Sequence, residues 1–353
     1  MAKNVDIARD LSLTAFLERE LGVQAKRMGR HARFNYCPDC GNEGHQPNKL
    51  QIQIDDKHYF CHRCRDKGTV IDAAMKLWGM DFGEAVDRLA GNHSGDVKAK
   101  PVDMEKVKKE DTLRNQKIAE VLKRLKPIFA DSADDFKCIQ YLTKVRKLPL
   151  EVVREAQKRG MLAFMPSNVK NAESRIIKAC GEQLLKDAGM WKEGAKRPSI
   201  CYRPIVFILP GETSAEFRII GEPKPGMLKS IRFGTNIPYP FVWRSKTPST
   251  KVAVVEGAID TLSMVALGTK SHIVGLPGCN NWDIEWFIKI KDKLHIEEYV
   301  LALDNDSSSE TNPGQKGQER LVEAMNMANL KHSRKVLPEN SDINEILKAR
   351  SVA

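Results

Sequence analysis

Two sets of side chains in this sequence have the types and spacing to do chemistry. The first is acidic. Glu256 and Asp260 lie in Val252–Asp260 (VAVVEGAID), Asp304 and Asp306 in Tyr299–Asp306 (YVLALDND), and Asp342 in Ser341–Glu345 (SDINE). The apolar, β-branched runs before the first two clusters read as buried strands, and a third acidic strand end is expected at Ser341–Glu345. Open α/β sheets hold ligands outside the carboxyl ends of their strands. Carboxylates gathered there predict a hard-cation site for Mg²⁺ or Mn²⁺, built from Glu256, Asp260, Asp304, Asp306 and Asp342. Asp304 and Asp306 alternate on an extended segment and point the same way. Glu256 is placed to bind a further ion or to act as a general base, and Asp260 follows it by one helical turn. Taken singly, an Asp-x-Asp is more often a loop or a helix cap, and a Glu-Gly pair a turn. Three clusters in succession carry the reading.

The second set is thiol. Cys37-Pro-Asp-Cys40 and Cys61-His-Arg-Cys64 are two C-x-x-C pairs separated by 20 residues. Four thiolates on two knuckles form the tetrahedral set that structural Zn²⁺ prefers, with Cys37, Cys40, Cys61 and Cys64 as ligands. His31, His45, His58 and His62 lie nearby, but four well-spaced thiolates leave no vacancy. A redox C-x-x-C normally sits alone at a helix start, which disfavours that reading. A closed zinc site is structural, so catalysis belongs to the carboxylates.

The elements that must position these groups follow from periodicity. An amphipathic helix is expected over residues 5–21. Leu50–Ile54 and Lys57–Cys61 form a hairpin across Asp55-Asp56 that carries the knuckles. Arg63, Arg65 and Lys67 cluster with Tyr59 and Phe60 around the second knuckle. That set fits single-stranded nucleic acid on a basic, aromatic face, and fits equally a ribbon with a solvated basic rim and Phe60 in its core. Helices are expected from Gly68 to Trp78, over Asp81–Leu89 and from Leu113 to Phe129, with residues 91–112 of linker composition. Farther on, Cys201–Leu209 reads as a strand and Glu216–Ile220 as its partner. Around Glu256 the pattern is strand, tight turn and helix.

Charge is distributed unevenly. The chain of 353 residues carries a formal +11. Residues 137–250 hold 21 Lys and Arg against 9 Asp and Glu, whereas residues 251–353 hold 12 against 15. A basic region before a carboxylate site suits a phosphate backbone led toward a metal; a merely soluble basic surface is the plainer alternative. With no signal-peptide pattern and no apolar run of spanning length, the expected location is cytoplasmic, with no membrane partner and with reduced thiols.

Several of these segments resemble bacterial and phage DNA primases. In their zinc-binding domain a cysteine knuckle precedes a G-x-x-I-D helix, here Cys61, Cys64, Gly68, Ile71 and Asp72. Tyr141, Leu142, Arg146 and Leu148 resemble the segment that opens the primase catalytic core, and Lys229, Arg232, Phe233 and Gly234, before a Pro-rich stretch, resemble its basic subdomain. The last hundred residues resemble a Toprim domain, whose marks E-G-x-x-D, D-x-D and D-x-N-E stand here as Glu256–Asp260, Asp304–Asp306 and Asp342–Glu345. The likeness covers most of residues 30–93 and 138–350. Bacterial replicative primases usually have one His among the zinc ligands, whereas this sequence has four Cys, and it keeps the glycine pattern of the basic subdomain only in part.

The resemblance implies a multidomain α/β and α+β protein. Residues 1–92 are a zinc ribbon with flanking helices, 93–130 a linker and helix, and 131–248 a mixed basic subdomain. Residues 249–353 are a Toprim sheet with helices on both faces. It also implies a DNA primase, a template-directed RNA polymerase that makes short primers on single-stranded DNA. Glu256, Asp304 and Asp306 would then be catalytic. Arg146, Arg203, Lys229, Arg232 and Lys246 would hold the template and incoming ribonucleoside triphosphates, and Lys316 is a further phosphate candidate. No G-x-x-x-x-G-K-[ST] loop occurs, and few residues follow Glu345, so a replicative helicase is expected as a separate chain. Brevity points to a phage or plasmid protein. The alternatives are another Toprim enzyme, a nuclease above all, or a non-catalytic single-stranded-DNA-binding accessory protein.

Overall fold

The computed structural model describes residues 2–28, 31–41, 49–91, 104–224, 227–234, 240–279, 281–308 and 313–351. His45, residues 92–103 of the expected linker and most of the Pro-rich stretch lie outside them. Met1–Lys108 forms one compact unit and Lys109–Ala353 another.

In the first unit the single helix expected over residues 5–21 is two, α1 (Ala2–Arg9) and α2 (Leu13–Leu21). The break has a local cause. Ser12 is extended, and its hydroxyl accepts from the Ala15 N–H at 3.1 Å, capping α2. Asp56, at φ +56°, accepts from the Thr14 N–H at 2.9 Å and from the Ser12 and Thr14 hydroxyls. The hairpin turn is thereby pinned to the first turn of α2.

Strands β1 (Lys26–Met28), β2 (His31–Phe34), β3 (Leu50–Ile52), β4 (His58–Cys61) and β5 (Lys67–Thr69) form an antiparallel sheet in chain order. The β3–β4 hairpin matches expectation; its neighbours are too short for periodicity to show. Next, α3 (Val70–Trp78) opens with a capping box, in which Asp72 accepts from the Thr69 N–H and hydroxyl at 2.7 Å. A Cβ on Gly68 would lie 2.6 Å from that of Asp72. The G-x-x-I-D segment is thus a helix start: Gly68 makes room, Asp72 caps and Ile71 enters the core. Finally α4 (Phe82–Gly91) packs on α1 and α3.

The second unit begins on α5 (Met104–Asp131), which includes residues expected as linker. Its apolar stripe, Ile118, Val121, Leu122, Leu125 and Ile128, is buried. A short α6 (Phe136–Gln140) runs into a π turn, Tyr141–Val145, then α7 (Leu150–Lys158), β6 (Leu162–Phe164), α8 (Val169–Cys180) and α9 (Glu182–Asp187). After a 3₁₀ turn at Ser199–Tyr202 come β7 (Ile205–Ile208), β8 (Ala215–Arg218) and β9 (Ser230–Phe233). These close an antiparallel sheet in the order β6-β7-β8-β9. The strand expected from Cys201 begins only at Ile205, because the 3₁₀ turn takes up the residues before it.

The remaining elements are β10 (Phe241–Trp243), β11 (Lys251–Glu256), α10 (Gly257–Ala266), β12 (His272–Leu276), α11 (Ile284–Leu294), β13 (Glu298–Leu301), α12 (Pro313–Met327), β14 (His332–Arg334) and α13 (Ile343–Arg350). Their sheet has the order β10-β12-β11-β13-β14, with only β10 antiparallel. Along β11, Ala253 and Val255 face α10 and α13 while Val252 and Val254 face α11 and α12. Such two-sided burial explains its unbroken apolar run. Strand β10 precedes residue 248 and yet belongs to this sheet. Phe241 and Trp243 share one core with Ile205 and Phe207 of the smaller sheet and with α10.

A Cβ on Gly275 of β12 would lie 2.2 Å from the Gly257 carbonyl oxygen and 2.3 Å from Thr261 Oγ1. The turn that carries Glu256 therefore rests directly on β12. Gly275→Ala is expected to destabilise the second unit by roughly 1–3 kcal/mol, read as a lower urea midpoint. An unchanged midpoint would contradict this close packing.

Candidate functional site

The four cysteines expected to hold zinc come together. The first knuckle closes by Gly41 N–H to the Cys37 carbonyl at 2.9 Å and Cys37 N–H to the Gly41 carbonyl at 3.2 Å. In the second, the Arg65 N–H bonds the Cys61 carbonyl at 3.0 Å. All four Sγ atoms lie within 4.8 Å of one another. Cys37 and Cys64 are 3.7 Å apart, and Cys40 and Cys61 3.9 Å. A Zn–S bond of about 2.3 Å implies a tetrahedral edge of about 3.8 Å, so the separations fit zinc and are far too long for a disulfide. Thiol electrostatics point the same way. Cys61 is pulled down to about 4, chiefly by its hydrogen bond with Cys37. That same bond pushes Cys37 far up, and burial raises Cys64 to about 12. Cys37 and Cys64 are thus held back from ionising, and a bound cation would favour their thiolates.

No histidine joins this group among the described residues. His58 pairs with Asp55 at 2.6 Å, and His62 bonds Gln51 at 3.1 Å. Lys76 of α3 ties the two knuckles together, reaching Asp66 at 2.5 Å and Asp39 at 3.5 Å. The two readings of the aromatic pair divide between its members. Tyr59 is buried and donates to Asp66 at 2.7 Å. Phe60 lies on the outer face under Arg65, 5.4 Å from its ring centroid. Register puts Lys26, Arg33, Gln51, Phe60 and Lys67 in one row across the five strands. Purified chain is expected to hold one zinc per molecule by atomic absorption. Cys61→Ser should lose the zinc and the near-ultraviolet dichroism of Tyr59 and Trp78; retention of both would refute the site.

The acidic groups are brought to one end of the C-terminal sheet. Glu256 ends β11 opposite Leu276 and precedes Gly257, whose φ of +80° makes the corner. Asp260 is buried one turn into α10, where its Oδ1 accepts from the Asn344 N–H at 3.1 Å. Past β13 the Ala302 N–H still bonds the Val254 carbonyl at 2.8 Å, which carries the extended chain out to Asp304 and Asp306. Between them Asn305 turns the other way, buried, with Nδ2 donating to the Leu337 carbonyl at 2.9 Å. The third acidic cluster is not a strand end. Asp342 is the N-cap of α13, accepting from the Glu345 N–H at 2.7 Å. The expectation failed because an Asp three residues before a Glu is also a helix-start pattern.

These carboxyls are strained electrostatically. Burial, then the charge of Asp306, raises Glu256 to about 7. Burial, then Asp260 and Glu256, raises Asp304 to about 9. Asp260 is pushed well up by burial and then by Asp342. Glu256 Oε1 and Asp304 Oδ1 are buried with no hydrogen-bond partner. Among the described residues no three of these carboxyls bring oxygens within 4.8 Å of one another. Mg²⁺ tolerates that spread, since it binds through one or two carboxylates and completes its shell with water and substrate phosphate. Orphaned acceptors and raised acids fit a divalent cation, which Glu256, Asp304 and Asp306 would hold with Asp260 and Asp342 as the remaining carboxylates of the set.

The basic candidates do not converge as a group. Arg146 Nε donates to the Tyr141 hydroxyl at 2.9 Å and Nη1 to Asn344 Oδ1 at 3.3 Å, beside Asp260. Arg203 is buried, its guanidinium donating to the Ser199 and Leu228 carbonyls at 2.8 and 2.7 Å. Lys229 pairs with Glu222 at 3.1 Å and Lys246 with Glu155 at 3.0 Å. Arg232 stands opposite Glu216 on the paired strands. Lys316 is exposed in the first turn of α12. Sequence reasoning passed over Arg218, whose positive charge acts on Asp260. It alternates with buried Phe217 on β8, and that period of two was the available signal. Asn344, fully buried between Arg146 and Asp260, was also passed over.

The raised acids give pH dependence a definite sign. An unfolded Asp ionises near 4, whereas folded Asp304 holds its proton to about 9. Folded chain therefore binds more protons across that interval, and stability falls as pH rises through it. The thermal midpoint of zinc-loaded chain without Mg²⁺ should drop between pH 6 and 9. Added Mg²⁺ should restore more at pH 9, and Asp304→Asn should flatten both effects. Identical profiles for wild type and Asp304→Asn would contradict the assignment.

No curated protein matches the chain. Among solved structures, the zinc-binding and RNA polymerase domains of Aquifex aeolicus primase are 17% identical, covering 98% of this chain and 82% of that one at a TM-score of 0.47. The RNA polymerase domain of Mycobacterium tuberculosis primase DnaG, in complex with a double-stranded DNA oligomer bearing a 6-nucleotide overhang, is 15% identical, covering 67% and 80% at 0.47. A DNA primase domain from Pseudomonas aeruginosa is 19% identical, covering 55% and 63% at 0.41. Residues 253–347, which contain all five carboxylates, match the protein family described as Toprim-like.

Proposed function

We propose that this chain is a DNA primase, joining ribonucleotides on a single-stranded DNA template. The observation that carries the reading is the pair of buried, unpartnered carboxylate oxygens, Glu256 Oε1 and Asp304 Oδ1, at the strand ends of the Toprim-like segment. A divalent cation would give both oxygens a partner. Primer synthesis requires a 3′-hydroxyl to attack an α-phosphate while pyrophosphate leaves. A divalent cation held there supplies neutralisation of the triphosphate and of the displacement.

The chain's own residues do the rest. Asp304 and Asp306 present two carboxylates from one extended segment. Glu256, at the end of β11, adds a third carboxylate to them. Arg218 and Arg232, on one face of β8 and β9, provide positive charge for phosphate; Arg146 provides it beside α10. In the first unit, the Lys26–Arg33–Gln51–Phe60–Lys67 row offers one aromatic ring among cations, the composition that holds single strands. The replicative helicase would be a separate chain. No described helix is long and apolar enough to cross a membrane.

The test is incorporation of labelled ribonucleotides on single-stranded DNA by the full zinc-loaded chain with Mg²⁺. Glu256→Ala and Asp304→Ala are each expected to lower incorporation by at least about a hundredfold, with circular dichroism and oligonucleotide binding preserved. Full activity in either variant would sink the mechanism. Nicking of duplex DNA without incorporation would instead identify a nuclease, and binding without either activity an accessory protein.

A further inference from the structure

Asn344 is fully buried, at 0% exposure, in the first turn of α13. Its backbone N–H donates to Asp260 Oδ1 at 3.1 Å. Its side chain is also fully engaged. Nδ2 donates to the Arg146 carbonyl at 2.8 Å and to Ser263 Oγ at 2.9 Å, and Oδ1 accepts from Arg146 Nη1 at 3.3 Å. One carboxamide thus joins the end of the π turn, α10 and α13.

Each of those elements brings a charged group to the site. The π turn ends on Arg146, α10 carries Asp260, and α13 is capped by Asp342. Lys147, directly after Arg146, has φ +56°, so the backbone at this junction is held in a conformation that most side chains disfavour. The bond to the Arg146 carbonyl helps hold it. No other residue type offers the same bonds in the same volume. Aspartate lacks the two N–H donors, leucine lacks every polar atom, and glutamine is one carbon too long for a space with no exposure.

We infer that Asn344 is a positioning residue for the cation site. It sets the spacing of Asp260, Asp342 and Arg146 and thereby the affinity for the cation, without touching the cation itself. The inference rests on the reading that the strand-end carboxylates hold a divalent cation. Partners that orient metal ligands typically contribute 10- to 100-fold in affinity, and the fully used amide places Asn344 in that class.

Mn²⁺ is the probe, titrated into full-length zinc-loaded chain and followed by electron paramagnetic resonance. Wild type should bind Mn²⁺, and Asp304→Ala should abolish that binding. Asn344→Ala should weaken it by about 10- to 100-fold while retaining native circular dichroism, and raised Mn²⁺ should recover ribonucleotide incorporation. A purely structural role would lower the thermal midpoint and leave the Mn²⁺ affinity of folded chain unchanged. If wild type binds no Mn²⁺ that Asp304→Ala removes, the cation reading and this inference fall together. If wild type binds and Asn344→Ala binds within about twofold of it, only this inference falls. Should Asn344→Ala not fold, Ser263→Ala takes its place, since it withdraws one acceptor from the amide and deletes no carbon. An affinity loss of about threefold or more supports the inference there, and an unchanged affinity overturns it.

Discussion

Mutual repulsion among buried carboxyls at one end of a parallel sheet is the constraint on which the second unit depends. Glu256, Asp260 and Asp304 are each raised first by burial and then by a neighbouring acid. Left alone, such groups would protonate or drift apart. The sheet fixes their backbones and closes the second route, so without a cation the first is taken and protons are held to higher pH. A divalent cation bound in place of those protons would relieve the same repulsion.

The fold creates the burial that makes the repulsion strong. Gly257 turns the chain where β11 ends, and bare Gly275 lets that turn settle onto β12. On the far side, Gly314 brings the first turn of α12 against the strand ends. A Cβ there would lie 2.1 Å from the Asp304 carbonyl oxygen and 3.2 Å from Glu256 Oε1. Close approach of helix to strand removes water from the carboxyls, and loss of water is the largest cause of their raised affinities for protons. Tight packing and acidic chemistry are one feature here, seen from two sides.

The four-cysteine cluster meets a related problem by another route. Cys37 and Cys64 are held back from ionising, and Lys76 steadies the two knuckles by pairing with Asp39 and Asp66. Sequence spacing was sufficient for the ligands because knuckle geometry is local: each C-x-x-C closes over a few residues. The same locality made the Glu-Gly corner and the Asp-x-Asp alternation legible. Asp342 was legible as an acid but not as a helix cap, since one short pattern serves both. Arg203 illustrates the opposite failure. A cation in a basic stretch looks like a phosphate contact, yet this one is enclosed and spent on two backbone carbonyls.

What the amino-acid sequence determined by itself was chemistry carried by short-range order: the four thiols, the acids at two strand ends, the helix start after the second knuckle and the excess of positive charge in the middle. Each depends on spacing within a turn, a strand or a single composition window. What only the tertiary structure decided was partnership over long separations. Asn344 meets Arg146 across 198 residues and Asp260 across 84, Arg218 acts on Asp260 from another sheet, and β10 joins a sheet that begins after it. Such contacts are set by how helices and sheets pack, and packing depends on the whole core at once. No local pattern in a single chain encodes it.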